Sequence, residues 1–221
     1  MARSTRPSPP RSRDGRERLL DTAERFFAER GISGVSLREI TEAAGQRNAS
    51  VVQYHFGSRG GLVTAVVARH MEAVDAARSA RLDVATAGGR EPGVHDAMRI
   101  LVEPLAECLR TQSGRAYLRI VQHLVDEPTD TPGPPLAETN PSLRGVSRLL
   151  EPATAPLPRR LRTERHHQTT SFLLRALADR AAELDGHGHR RPALGHDAFV
   201  ANLVDVLVAV LTTPPSATAT G

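Results

Sequence analysis

The chain has 221 residues, 39% hydrophobic but only 3% aromatic, so its core must be built from Leu, Val and Ala rather than from rings. The single cysteine, Cys108, excludes an intrachain disulfide and a cysteine-based zinc site, and no run of 18 apolar residues is present to span a bilayer. Every one of the 29 cations is Arg, against 25 acidic residues, and the whole +4 excess sits in residues 1–60, which hold 11 Arg and 7 acids. Arg never deprotonates, and its planar fork suits phosphate oxygens and the guanine edge. The asymmetry therefore points to a polyanionic partner for the first quarter of the chain. The N-terminus lacks the apolar stretch of a secretory signal, which predicts a cytoplasmic protein.

Residues 1–13 are rich in Arg, Ser and Pro without a large apolar side chain, and read as a disordered basic arm. Asp14 and Glu17 have capping-box spacing, and Leu19, Leu20, Ala23, Phe26 and Phe27 recur on one face, so a first helix begins near Asp14 and stops at Gly31. Ser36 and Glu39 form a second box, with Val35 and Ile40 placed as a hydrophobic staple over it. This helix ends at Gly45. A third short helix spans 48–56 and breaks at Gly57-Ser58. Ser58 then caps a fourth, running to about Arg81 with Leu62, Val66, Met71 and Val74 on one face. Further helices are predicted over 94–111, 113–126, 142–151 (ended by Pro152), 158–185 and 197–212. They are separated by the Gly-rich stretch 87–93, by a loop with five prolines from Pro128 to Pro141, and by the Gly- and His-rich stretch 186–196. No segment has a convincing period of two, so the fold class is all-α. The domain reading is an arm at 1–13, a three-helix domain at 14–60, a second helical domain at 61–213 and a disordered tail at 214–221.

The informative cluster lies at 36–59. Two short helices joined by a tight Gly-containing turn have helix-turn-helix spacing. Leu37, Ile40, Ala44, Val52 and Phe56 supply the inner faces. The outward face of the second helix then carries Arg47, Asn48, Ser50, Gln53, Tyr54 and His55. Arg forks onto guanine, Asn and Gln pair with adenine, and hydroxyl and imidazole groups hold phosphates. Ser36 and Ser58 stand at helix starts, where free N–H groups favour a phosphate.

With FFAERG at 26–31, GVSLREITEAAG at 34–45 and YHFGSRGGL at 54–62, residues 14–80 resemble the DNA-binding domain of TetR-family transcriptional regulators. The resemblance implies phosphate contacts from Tyr54, His55 and Arg59, and core roles for Phe56 and Leu62. Gln53 stands where the family has an aromatic, so base readout can replace a phosphate contact there. The turn 45–48 is one residue longer than the common pattern, which leaves the register of Arg47 and Asn48 open.

Two recognition helices roughly 34 Å apart on a palindromic operator make a helix-turn-helix protein selective. From Ala198 to Leu211 only Asn202 and Asp205 are polar, so the last helix is apolar all round and is read as buried all round. With 158–185 it is a candidate homodimer interface, as the resemblance implies, or a central core helix, or both. The family also implies a cavity for a small-molecule effector whose binding tilts the fourth helix and releases DNA. Candidate lining residues are Met98, Leu101, Leu105, Tyr117, Ile120, His123, Leu124 and Phe172. With Tyr117, Phe172 and Phe199 the only aromatics after residue 61, an aliphatic or small polar effector fits better than a flat aromatic one.

An enzyme needs a convergent constellation. Cys108 has no glycine elbow, and His166, His167, His187, His189 and His196 match no structural zinc spacing. No cofactor, metal or membrane association is expected. The competing reading is a helical, dimeric small-molecule-binding module that does not bind DNA specifically.

Overall fold

The computed structural model describes residues 11–216 apart from 47, 49, 88, 90, 127–139 and 188–192. Among the described residues every regular element is helical, and no helix is long and apolar enough to cross a membrane. The chain divides into two compact units, 1–66 and 67–221. The division falls inside the fourth helix, beyond the expected boundary at residue 60.

The first unit holds α1 (Arg11–Arg30), α2 (Leu37–Ala43), α3 (Ser50–Phe56) and the opening turns of α4 (Arg59–Ala87). α1 begins at Arg11, inside the stretch expected to be an arm, so Asp14 lies within the helix and does not cap it. Leu19, Leu20, Ala23 and Phe27 are buried on its inner face, with Ile32, Val35, Ile40, Ala44, Val52, Leu62 and Val66 completing the core. Each of the Leu, Ile, Val and Phe side chains among these stabilises the unit by roughly 1.5–3 kcal/mol relative to exposure. Phe26 departs from the expected pattern. It is half-buried, with the Arg25 guanidinium 4.6 Å and that of Arg30 5.8 Å from its ring centroid.

The second unit holds the rest of α4, α5 (Val94–Ala106) with a 3₁₀ turn (Glu107–Arg110), α6 (Gln112–Asp126), α7 (Pro141–Thr154), α8 (Arg159–Leu184) and α9 (His196–Thr212). α6 packs on α8, and α5 packs on α7 and α9. α4 runs six residues past Arg81, because Leu82–Ala87 contains no breaker and the Thr86 hydroxyl donates back to the Leu82 carbonyl at 2.9 Å. The helix expected over 94–111 is α-helical to Ala106, with Pro104 inside its last turn, and tightens to 3₁₀ from Glu107 to Arg110. Likewise, Pro152 does not end α7. It falls in the last turn, where the missing N–H costs one bond, and Thr154 closes the helix with its hydroxyl near the Leu150 and Glu151 carbonyls. Pro141 opens α7, the position its fixed φ favours.

Two arginine clamps tie this unit together. Arg115 donates from Nε to Asp185 Oδ1 at 2.5 Å, and Arg119 Nη2 lies 3.0 Å from Oδ2, joining α6 to the end of α8. Arg165 donates to the carbonyls of Leu211 and Thr213, satisfying orphan acceptors at the C-terminus of α9.

Candidate nucleic-acid interface

The turn between α2 and α3 is fixed by backbone chemistry. Gly45 takes φ +69, its N–H donates to the Glu42 carbonyl at 3.0 Å, and the Gln46 N–H donates to the Thr41 carbonyl at 2.9 Å. This is the Schellman pattern, and only Gly adopts that φ without strain. Asn48 then opens α3. Its Oδ1 accepts from the Ser50 N–H at 2.9 Å and its carbonyl from the Val51 N–H at 3.2 Å, so the side chain expected to meet adenine is an N-cap. Arg47 lies outside the described residues.

α3 buries Val52 and exposes Ser50, Gln53 and Tyr54. Tyr54 is 81% exposed, an unusual position for a large ring. His55 and Phe56 are half-buried. The His55 imidazole stands edge-on to Tyr54 at 4.9 Å, and Arg16 of α1 lies 5.3 Å from the Phe56 ring centroid. Gly57, at φ +71, closes the helix, and Ser58 Oγ accepts from the Gly61 N–H at 3.0 Å to start α4. A Cβ on Gly61 would sit 1.9 Å from the Phe56 carbonyl oxygen, so the α3–α4 junction is closed to any larger residue.

Two expected phosphate contacts are committed to the fold. The Ser36 hydroxyl accepts from the Glu39 N–H at 3.2 Å and donates to Glu39 Oε2 at 2.7 Å, while Glu39 Oε2 accepts from the Ser36 N–H at 2.8 Å. Arg30 adds a hydrogen bond to Glu39 Oε1 at 2.8 Å. The Ser36 backbone and side-chain hydrogen bonds, with Arg30 behind them, hold the Glu39 carboxyl down at about 2. The start of α2 thus already carries a carboxylate that would repel a phosphate. Arg59 turns inward, donating to the Ile32 carbonyl with its guanidinium 5.8 Å from the Phe27 ring centroid. Sequence reasoning missed both bracing arginines, Arg16 and Arg30. Their spacing to Phe56 and Glu39 across elements leaves no local signal.

In the second unit the eight candidate effector residues do not share one environment. Met98, Leu105, Tyr117 and Ile120 are buried, Leu101, His123 and Leu124 are half-buried, and Phe172 is 47% exposed on the outer side of α8. None of them lines the open cleft of about 470 Å³ between α5 and α9, whose walls include His95, Glu103, Glu107, His196 and Asp205. The Cys108 thiol is pushed up to about 11 by burial and by Glu107 beside it. Of the histidines, His187 Nδ1 lies 3.4 Å from Arg119 Nη1 and His196 Nε2 lies 3.8 Å from Glu107 Oε1, while His189 lies outside the described residues.

Residues 19–66 match the family model for bacterial regulatory proteins of the tetR family. Solved structures share the fold across nearly the whole chain. A putative tetR-family transcription regulator from Shewanella sp. PV-4 superposes with a TM-score of 0.55 at 16% identity, covering 90% of this chain and 96% of its own. NalD, the secondary repressor of the MexAB-OprM multidrug efflux pump in Pseudomonas aeruginosa, gives 0.54 at 19% identity, covering 92% and 100%. A probable transcriptional regulatory protein, RHA5900, gives 0.55 at 20%, covering 90% and 100%. No curated protein matches the chain in sequence.

Proposed function

We propose that the chain is a DNA-binding transcriptional regulator of the tetR family, whose model its residues 19–66 match, and that it is a repressor that grips a palindromic operator as a homodimer and lets go when a small molecule binds the second unit. The observation that carries this reading is the outer row of α3. Ser50, Gln53 and Tyr54 project from a helix whose two ends are fixed by the Asn48 cap and the Gly57 stop. Gln53 is the base reader, with an amide that can pair with adenine. Tyr54 and Ser58 hold phosphates, and Arg47 is a second reader from the turn. Asn48, Ser36 and Arg59 position the helix, and His55 supports the Tyr54 ring.

The dimer reading draws on α9. Its inner face buries Leu203, Val204, Leu207, Val208 and Leu211, while Ala198, Ala201, Asn202, Asp205 and Ala209 are exposed along the opposite face. The helix is therefore not buried all round within one chain. A row of small residues allows the close approach of a second copy, and exposed Phe172 on α8 belongs with that surface rather than with an effector site.

The test is fluorescence anisotropy of the full chain on a fragment from its own promoter region, against mixed genomic DNA, over a salt series. The fragment should bind more tightly, and binding should fall steeply with salt. Gln53→Ala should cost roughly 1–3 kcal/mol and relax specificity at one position, whereas Tyr54→Ala should weaken all sequences alike. If both variants bind as the parent does, the assignment of α3 as the reading element is wrong.

A further inference from the structure

The second unit buries a charge that the packing does not fully use. Arg78, midway along α4, is only 3% exposed. Its Nη1 donates to Ser142 Oγ at 3.2 Å, and the nearest carboxylate oxygen, Asp75 Oδ1, stands 3.8 Å away, beyond hydrogen-bond reach. That oxygen instead accepts the Ser142 hydroxyl at 2.5 Å. Asp75 is also the more solvated partner, its side chain 20% exposed against 4% for Arg78. The buried Nε of Arg78 has no hydrogen-bond partner among the described residues. Nε–H and the neighbouring Nη–H form the edge of the guanidinium that matches the two oxygens of a carboxylate. A buried guanidinium with that edge empty is costly, and an apolar side chain of similar length would hold the helices together at lower cost.

We propose that Arg78 is the anchor for a carboxylate carried by the effector, a monoanionic acid with an aliphatic body that seats its head between α4, α6 and the start of α7. The inference rests on the reading of the second unit as an effector-binding unit and specifies the chemistry of what binds. A single guanidinium, with Asp75 already nearby, suits one negative charge rather than a phosphate dianion. Tyr117 on α6, 5% exposed, is the hydroxyl that can share the head. Burial pushes its titration up to about 12, with Cys108 adding to the effect and Arg78 opposing it, so it remains a protonated donor. Its ring is already stacked on His70 at 5.0 Å, and His70 Nε2 meets Ser113 Oγ at 3.1 Å. Phe172 is turned outward, and Phe199 has the Arg180 guanidinium 5.0 Å from its ring centroid. The three aromatic rings of this unit are thus already stacked on one face, exposed or covered by a guanidinium, which favours an alkyl chain over a flat aromatic body.

The experiment uses the full chain without DNA, so that its result does not depend on operator binding. Thermal melts and titration calorimetry are run with sodium acetate, butanoate, hexanoate, octanoate and decanoate, each beside its neutral amide. At least one carboxylate is expected to raise the melting temperature where its amide does not. Arg78→Met should weaken that binding at least tenfold, and should melt no lower than the parent when unliganded. Arg78→Lys keeps the charge but loses the fork, so it should also weaken binding and serves if the Met variant does not fold. If no acid in the series separates from its amide, or if both variants respond as the parent does, the proposal is overturned. Carboxylate binding without promoter binding would instead refute the regulator reading and leave the acid site standing.

Discussion

Replacing Gly61 by Ala sets two well-characterised effects against each other. On an open helix surface the change would stabilise by about 1 kcal/mol, because Gly is the poorer helix former. At this position the new Cβ would lie 1.9 Å from the Phe56 carbonyl oxygen. The obstacle is backbone, so it cannot rotate away, and the end of α3 or the start of α4 must move by roughly an ångström. Overpacking of this kind costs about 1–3 kcal/mol, occasionally more. With no side chain available to absorb the displacement, the upper part of that range applies and the net loss is about 2 kcal/mol. In urea, where small proteins have slopes of about 1–3 kcal/mol per molar, this lowers the unfolding midpoint by roughly 1 M. The assay is urea unfolding followed by far-ultraviolet circular dichroism, with amide exchange over residues 50–66 to locate the effect. Exchange should accelerate there and not in α8. A midpoint that stays put or rises would show that the junction is looser than the packing argument requires.

Two other substitutions probe the same domain. Asn48→Ala removes the N-cap of α3 and should cost about 1 kcal/mol of stability. Operator affinity should fall equally for all base substitutions, whereas loss of specificity at a single position would restore Asn48 as a base reader. Glu39 contributes to acid sensitivity. Its carboxyl titrates near 2 in the folded chain, against about 4.3 when unfolded, so its contribution is complete above the unfolded value and is lost as pH falls through the folded one. Stability measured from pH 5 down to pH 2 should decline less in Glu39→Gln than in the parent, and equal slopes would refute the assignment.

What the sequence made legible was local. The Ser36–Glu39 box, the Gly45 and Gly57 stops and the Ser58 cap are all encoded within a few residues, and all are found where spacing puts them. The misreadings arise where one residue type has two uses. Asn48 is as good a helix cap as a base reader, and its place one turn before Val52 does not distinguish them. Long side chains hide their direction, so Arg59, adjacent to exposed Ser58, could not be seen to turn back to Ile32. Prolines mislead too, since Pro104 and Pro152 each lie inside a helix that continues for two residues beyond them. The sequence around Arg78 is silent for a related reason. Arg78 sits among Asp75, Ser79 and Arg81, a run that reads as a solvated face, and its burial is a consequence of α7 packing nearby. Periodicity identified Met98, Leu105 and Ile120 as inward, but inward is not the same as lining a cavity.

The basic excess of the first 60 residues can now be divided. Arg16 pairs with Glu17 at 3.2 Å, Arg30 with Glu39 at 2.8 Å and Arg38 with Glu42 at 2.7 Å. Arg25 faces the Phe26 ring, Arg59 the Ile32 carbonyl, and Arg18 also has a partner. The described arginines of this domain are thus largely matched or bracing, and the proposed reading leaves phosphate neutralisation to Arg47 and to the N-terminal Arg3, Arg6, Arg11 and Arg13 of the sequence. Counterion release turns this into a measurable quantity, because each phosphate neutralised contributes about 0.9 to the slope of log affinity against log salt. Deleting residues 1–10 removes Arg3 and Arg6 from each protomer while leaving α1 whole. In a dimer the slope should shrink by up to about 3.6, with base specificity unaltered because arm contacts of this kind carry no base code. A deletion that leaves the slope unchanged would mean that the excess serves the fold rather than the DNA, and that the charge asymmetry of the sequence was the wrong reason for reaching the right class of partner.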